Sequence, residues 1–150
     1  MIQKYIKSDI KKFLERISVM SIALCLKKRP ISSVVLFTVD NDLSFYFITK
    51  KNTYKAKAID ENPQMSLCVW KQNDKLIQAS GNIIELAGDD DFDKYYKRLQ
   101  TINKELGNIY WPYLATKGSE AIVYKLLTKW LRVMDLTYKG SDSPFYNMEF

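Results

Sequence analysis

Short apolar segments, each bounded by charged or turn-forming residues, follow one another between residues 19 and 86. They read VMSIALCLKK, RPISSVVLFTV, LSFYFIT, QMSLCVW and KLIQASGNIIEL. Segments of this length, with many β-branched and aromatic residues, are typical of strands. The polar cluster Asp40, Asn41 and Asp42 predicts a hairpin turn, Asn73-Asp74 predicts another, and Gly81 predicts a bulge or bend in the last segment. The pattern therefore predicts an antiparallel meander.

Three stretches of the chain have the spacing or the end signals of helices. Apolar residues recur at helical spacing over residues 2–17, at Ile2, Ile6, Ile10, Phe13, Leu14 and Ile17. The segment TYKAKAIDEN predicts a short helix that is capped by Asn52 or Thr53 and closes before Pro63. A third helix is predicted over about 89–107, where Asp89, Asp90 and Asp91 favour the positive end of the helix. A metal site is the alternative role for these carboxylates, although no second acidic cluster completes a ligand set.

The carboxyl-terminal region has apolar residues at both the helical and the strand period. We interpret the part around KGSEAIVYKL as short helical or irregular structure, and residues 129–138 (KWLRVMDLTY) as a final strand. Together with a barrel core over about 18–88, this predicts one domain over residues 1–150. The expected fold is α+β, mostly β with flanking helices, in which six or so antiparallel strands form a closed or nearly closed barrel, because closure hides strand edges.

Several classes of chemistry have no residues to support them in this sequence. The chain contains no histidine, so the usual general base of serine and cysteine hydrolases and every histidine-containing zinc site are missing. Its five glycines are isolated, and none lies in a nucleotide-binding loop pattern. Catalysis by this chain therefore requires a cofactor, or lysine, tyrosine and carboxylate side chains.

The charge and the cysteines indicate the partners and the compartment. The 23 basic residues exceed the 17 acidic ones and give a formal charge of +6, which favours anionic partners. The basic residues are spread along the chain, so we do not expect a nucleic-acid partner. Cys25 and Cys68 indicate buried free thiols in a reducing compartment, and a disulfide is the alternative if their strands are neighbours. No apolar run reaches the length of a membrane span, which predicts a cytoplasmic protein without a membrane partner.

The order of motifs from about residue 18 to residue 86 resembles the pyridoxamine 5'-phosphate oxidase-like family, the FMN-binding split barrels. The resembling features, in chain order, are Arg29-Pro30, the strand SVVLFT, the hairpin into LSFYFIT, the element TKKNTYKA, the strand start NPQMSLCV and the strand that contains Gly81. The resemblance implies a six-stranded antiparallel split β-barrel. It also implies a flavoprotein homodimer in which both subunits complete two FMN sites.

The resemblance also implies which residues contact the cofactor. The flavin ring lies along the apolar strand and contacts its backbone, at positions that match Ser33, Val34, Val35, Leu36 and Phe37. The ribityl phosphate lies at the following strand end and helix start, at positions that match Thr49, Lys50, Thr53, Tyr54 and Lys55. Ser33 and Tyr54 stand where many relatives have arginine, so two guanidinium groups are missing. Lys57 is expected to point to another side of the helix.

Two functions remain open. The first is an FMN-dependent oxidoreductase acting on a small molecule, with no catalytic residue identified. The second is a non-catalytic protein of the same fold that binds flavin, heme or a deazaflavin. An interaction domain without a chromophore is a weaker third possibility. Pyridoxamine phosphate is not the expected substrate, because the family's Arg-x-His motif is absent from RVMDLTYKG. Phe45, Tyr46, Phe47 and Trp70 are expected to fill the core or a dimer interface rather than stack on a flavin, and the aromatic run Ile109 to Leu114 is expected to pack or to cap a pocket.

Overall fold

The computed structural model describes residues 5–108 and 120–150 of the chain, and all structural statements concern these ranges. The helices are α1 (Lys7–Glu15), α2 (Tyr54–Glu61) and α3 (Asp89–Glu105). The strands are β1 (Val19–Leu26), β2 (Arg29–Val39), β3 (Phe45–Lys50), β4 (Gln64–Trp70), β5 (Lys75–Glu85), β6 (Ala121–Asp135) and β7 (Phe145–Glu149). No helix in the described ranges is both long enough and apolar enough to cross a membrane.

Six of the strands close into an antiparallel barrel. They are hydrogen-bonded in the order β3-β2-β1-β4-β5-β6, and pairing of β3 with β6 closes the ring. The seventh strand, β7, pairs with the second half of β6 outside the ring. The predicted six-stranded antiparallel barrel with flanking helices is therefore confirmed, with one strand added to it.

The barrel is split between β2 and β3. Strand β2 pairs with β1 from Arg29 to Leu36, but it pairs with β3 over only three residues, Phe37 to Val39. Strand β3 then pairs with β6 along its whole length, from Phe45 to Lys50. In the described part of the chain, no strand covers the second edge of β2 before Phe37. This edge consequently presents backbone groups that the sheet does not use.

Two apolar clusters hold the structure together. The larger one fills the barrel, and α1 contributes Ile10, Phe13 and Leu14 to it. The smaller one lies between α3 and the outer face of β2, β3 and β6 and includes Leu36, Tyr46, Ile48, Tyr95, Leu99 and Val123. Phe45, Tyr46 and Phe47 are buried as predicted. Trp70 is 56% exposed at the end of β4, so it does not fill the core.

A polar cluster anchors α3 to the strand ends. The Tyr95 hydroxyl donates to one Asp40 oxygen, and Arg98 Nη1 donates to the other at 2.9 Å. The Tyr95 ring also stacks on Tyr46, with 3.7 Å between ring centroids. Burial alone would raise the pKa of Asp40, but the hydrogen bonds from Tyr95 and Arg98 outweigh it and hold that pKa below its usual value. The turn that follows β2 is thus tied to the middle of α3.

The carboxyl-terminal region differs most from the sequence-based expectation. Strand β6 begins at Ala121 rather than near residue 129, so the helical or irregular structure expected up to residue 126 is wrong from Ala121 onward. The first half of β6 is covered on one side by the barrel core and on the other by α3, and both Val123 and Tyr124 are buried. A strand that is buried on both faces shows a continuous apolar run instead of alternation, which explains the error. Strand β7 was not predicted, and the aromatic run at 109–114 lies outside the described residues.

The two cysteines lie on neighbouring strands but do not form a disulfide. Strand β1 pairs with β4 in a register that places Cys68 opposite Ser21, so Cys25 lies four residues farther along β1. Both thiols are free, as the sequence suggested, although both are partly exposed rather than buried. Burial raises the pKa of the Cys68 thiol.

Gly81 allows β5 and β6 to approach closely at a bulge. The register of the two strands shifts between Ser80 and Gly81, and a Cβ atom at Gly81 would lie 2.1 Å from the backbone oxygen of Leu127. We therefore expect Gly81→Ala to lower the free energy of unfolding by about 3 kcal/mol, because backbone cannot yield as a side chain does. Chemical denaturation measures this change.

Gly88→Ala is the matched control for that substitution. Among the described residues other than its chain neighbours, no atom lies within 4 Å of a Cβ at Gly88, and Gly88 precedes α3 with an ordinary φ of −90°. Its replacement is expected to change stability by less than about 1 kcal/mol. Equal effects at Gly81 and Gly88 would show that the close approach of β5 and β6 is not the cause.

Candidate functional site

A groove lies between the unpaired part of β2 and the start of α2. Its volume is about 630 Å³. The residues that line it are Ile31, Ser32, Ser33, Asn52, Thr53, Tyr54, Lys55 and Lys57. Apolar atoms make up the larger share of this lining, but every lining residue except Ile31 carries a hydroxyl, amide or ammonium group that an anionic ligand can use.

A hydroxyl network shapes the floor of the groove, where β3 passes into α2. Thr53 caps α2, and its Oγ1 accepts a hydrogen bond from Ala56 N at 3.2 Å. The same hydroxyl donates to the Lys50 carbonyl at 2.9 Å. Thr49 Oγ1 lies 3.1 Å from Thr53 Oγ1. Because Thr53 has a single hydroxyl proton, Thr49 is the donor in that pair.

The backbone before the helix also fixes the direction of α2. Asn52 has a φ of 64°, in the left-handed region that asparagine tolerates better than most residues. This turns the chain sharply between the end of β3 and the cap of α2. The first turn of the helix, with its N–H groups and positive dipole end, then lies at the groove.

The lysines around the groove have different positions. Lys55 is half-buried in the groove wall, and Lys57 lines the same groove. Lys57 therefore does not lie away from the groove, while the expectation that its side chain points to another side of the helix than Lys55 stays a prediction. Lys50 pairs instead with Glu120 at 3.3 Å, and the Lys51 amide donates to the Glu120 carbonyl at 2.8 Å.

The structure brings together some of the predicted site residues and separates others. Ser33, Thr53, Tyr54 and Lys55 all line the groove, and Thr49 is buried beneath it. Val34 is 53% exposed on β2. The side chains of Val35, Leu36 and Phe37 are buried, so only their backbone is available to a ligand. Lys50 faces Glu120 outside the groove lining.

Four groove residues were not predicted as site residues from the sequence. Ile31 and Ser32 precede the matched part of the apolar strand, and Asn52 and Lys57 flank the matched part of the helix start. The groove extends along the uncovered edge of β2 and around the first turn of α2, so neighbours of each motif residue reach it. The one available signal was Asn52, a residue type that favours helix caps and left-handed turns.

The comparisons with known proteins agree on one family. A family model described as pyridoxamine 5'-phosphate oxidase matches residues 6–126. The pyridoxine/pyridoxamine 5'-phosphate oxidase of Ehrlichia ruminantium (strain Welgevonden) is 39% identical over 79 residues, which are 51% of this chain and 40% of that protein. The alignment thus spans less than half of that relative's length.

Solved structures of low sequence identity share the fold. A pyridoxamine 5'-phosphate oxidase-related, FMN-binding protein from Nostoc punctiforme matches with a TM-score of 0.58 and 14% identity, over 96% of this chain and 92% of that one. The heme storage protein HutZ from Vibrio cholerae matches with a TM-score of 0.63 and 15% identity, over 84% and 92%. ChuZ from Campylobacter jejuni matches with a TM-score of 0.74 and 17% identity, over 98% of this chain and 61% of that one.

The hydroxyl of Thr53 is expected to stabilise the start of α2. Thr53→Ala removes the cap of the helix and leaves the buried Thr49 hydroxyl without its acceptor, so we expect a loss of about 2 kcal/mol in the free energy of unfolding. Thr53→Ser keeps the hydroxyl and should stay within about 0.5 kcal/mol of the parent. Urea denaturation of both variants measures the difference. If serine were no better than alanine, the methyl group rather than the hydroxyl would be the stabilising part.

Proposed function

Because this chain belongs to the pyridoxamine 5'-phosphate oxidase family, we propose that it binds FMN in the groove between β2 and α2 and acts as an FMN-dependent oxidoreductase on a small molecule. The observation that carries the proposal is the uncovered edge of β2 beside a polar, basic helix start. The edge offers backbone hydrogen-bonding groups from Ser33 to Leu36, and the groove offers hydroxyl and ammonium groups. A flavin phosphate needs both kinds of partner.

The donor groups of the groove fit the two ends of FMN. The backbone of Ser33 to Leu36 would hold the flavin ring, whose polar edge carries alternating hydrogen-bond donors and acceptors. Thr53, Lys55, Lys57 and the first turn of α2 would hold the phosphate. When bound, the flavin supplies hydride or electron transfer, which the side chains of this chain do not provide by themselves.

The chain's own residues orient the cofactor and balance its charge. Thr49 and Thr53 fix the first turn of α2, so that its N–H groups do not reorganise when an anion binds. Glu120 holds Lys50 beside the groove by an exposed ion pair. Such pairs contribute little by themselves, so the Lys50 ammonium can turn toward a phosphate at small cost.

A non-catalytic carrier of flavin, heme or a deazaflavin is the second candidate function. The specific observation in its favour is the shared fold with the heme storage protein HutZ. Heme binding by this chain would have to use an axial ligand other than imidazole, because the sequence contains no histidine. The flavin proposal needs no such ligand.

We also propose that the protein is a cytoplasmic homodimer. Val34 is 53% exposed on β2, beside the groove. A second copy would shield this region from water and could complete a site that is open on one side. The two free cysteines agree with a reducing compartment.

The function is tested by the spectrum and the redox behaviour of the purified protein. We expect FMN to bind more tightly than riboflavin, because the cations of the groove have a phosphate to bind only in FMN. Addition of NADH or NADPH under anaerobic conditions should bleach the bound flavin. Equal affinity for FMN and riboflavin would contradict the placement of the phosphate in this groove. A bound flavin that neither NADH nor NADPH reduces would favour the non-catalytic carrier function. A Soret band in place of the flavin spectrum would indicate heme.

Lys55 is expected to contribute most of the side-chain charge that FMN meets. Lys55→Ala should weaken FMN binding by about 1.5 to 3 kcal/mol, the range for a hydrogen bond to a charged group, or roughly ten- to hundredfold. Lys51→Ala is the matched control, because Lys51 is exposed outside the groove lining. Flavin fluorescence titrations at two salt concentrations measure both variants, with light scattering to follow dimerisation. If both variants bind FMN equally well, the phosphate does not lie at Lys55.

A further inference from the structure

A second cavity adjoins the groove on the side of the β1–β2 turn. Its volume is about 530 Å³, and it is lined by Leu26, Lys27, Arg29, Ile31 and Tyr54. Ile31 and Tyr54 also line the groove, so the two spaces share a wall. A ligand long enough to pass over Ile31 and Tyr54 would reach both spaces.

Tyr54 is the residue that joins the two spaces. It is the first residue of α2 and is 75% exposed. A tyrosine that is so exposed gains little from packing within its own chain. Its ring is instead available as a flat apolar surface, on which a planar heteroaromatic group can stack.

The second cavity has its own positive charge. Lys27 and Arg29 are exposed in its wall, and within the described residues neither side chain forms an ion pair. A guanidinium can grip a phosphate through two parallel hydrogen bonds, which an ammonium cannot do. Arg29 is therefore the better phosphate ligand of the two.

The turn that carries this charge is held in one position against α2. Lys27 and Lys28 form a two-residue hairpin turn, with φ values of 51° and 63° in the left-handed region. The Lys27 amide donates to Glu61 Oε2 at 2.5 Å, which ties the turn to the last residue of α2. The backbone of the turn is thus held beside the cavity before any ligand binds, and a ligand has to order only the exposed side chains of Lys27 and Arg29.

We propose that the second cavity binds a nucleoside phosphate, whose base stacks on Tyr54 and whose phosphate pairs with Arg29 and Lys27. This inference rests on the proposed function, because it extends the ligand of the flavin groove. Ile31 and Tyr54 line both spaces, so a dinucleotide with one phosphate at Lys55 would place its second phosphate toward Arg29 across this shared wall. A nucleoside phosphate is part of FAD, where it is joined to the flavin, and part of NADPH, where it belongs to the electron donor.

The test compares FMN, FAD and NADPH on the full chain and on variants of the β1–β2 turn. We expect Arg29→Gln and the double variant Lys27→Gln/Arg29→Gln to bind FMN within about twofold of the parent, since neither residue lines the flavin groove. The same variants should lose roughly tenfold in affinity for the dinucleotide that uses the cavity. Lys28→Gln is the matched control, because Lys28 lies in the same turn but outside this cavity.

The outcomes identify the source of the nucleotide. FAD binding that is tighter than FMN binding, with the excess lost in Arg29→Gln, assigns the cavity to a flavin dinucleotide. Equal FMN and FAD affinities, with NADPH binding to the FMN-loaded protein weakened in Arg29→Gln, assign it to the electron donor. If Arg29→Gln changes neither the affinity for FAD nor the affinity for NADPH, the proposal for the second cavity is overturned, and the FMN proposal is unaffected.

A separate titration with ADP keeps this inference distinguishable from the proposed function. ADP needs only the second cavity, so it should bind to the flavin-free protein, and Arg29→Gln should weaken that binding. A chain that binds ADP in this way but takes up no flavin would refute the FMN proposal and support the second cavity. If the protein binds FMN, but Arg29→Gln changes the binding of neither ADP nor a dinucleotide, the FMN proposal is supported and the second-cavity proposal is refuted.

Discussion

Closure of the barrel through β3 and β6 determines where the groove beside β2 lies. β3 shares only three residue pairs with β2 before it leaves to pair with β6 along its whole length. The six-stranded ring is closed, but the eight residues of β2 before Phe37, Arg29 to Leu36, are left with one edge that no described strand covers. Backbone groups at an edge must find water, another chain or a ligand. The chain places α2 directly after β3, so the start of a helix comes to lie at this same edge.

Two local devices keep that arrangement rigid. At the junction of β3 and α2, the hydrogen bond between the hydroxyls of Thr49 and Thr53 links the end of β3 to the cap of α2. Between β5 and β6, glycine at position 81 lets the backbone of β5 approach the Leu127 carbonyl of β6, because it has no Cβ atom. Residues of β6 before this point pair with β3, and residues after it pair with β7. The bulge therefore sits where β6 changes partners, and closure depends on it.

The sequence predicted those parts of the fold whose signals are local. β2 and β4 have the predicted bounds because a turn or a proline flanks each of them, and α2 begins after the predicted cap, Thr53. β6 was misassigned because its two faces are covered by partners that are distant in sequence. The same limit applies to the site. Thr53 and Lys55 follow from a short motif, whereas the ion pair of Lys50 with Glu120 joins residues 70 positions apart, which no local pattern reveals.

The cations around Tyr54 differ in the geometry that they offer to a phosphate. The groove is lined by the ammonium groups of Lys55 and Lys57, which neutralise a phosphate without fixing its orientation. Arg29 lines the neighbouring cavity, which shares Tyr54 with the groove. A ligand with a single phosphate is then oriented mainly by the first turn of α2. In the proposed nucleotide site, a ligand with a second phosphate would gain the bidentate guanidinium of Arg29 and the Tyr54 ring to stack on, so recognition would extend from the first phosphate to the group beyond it.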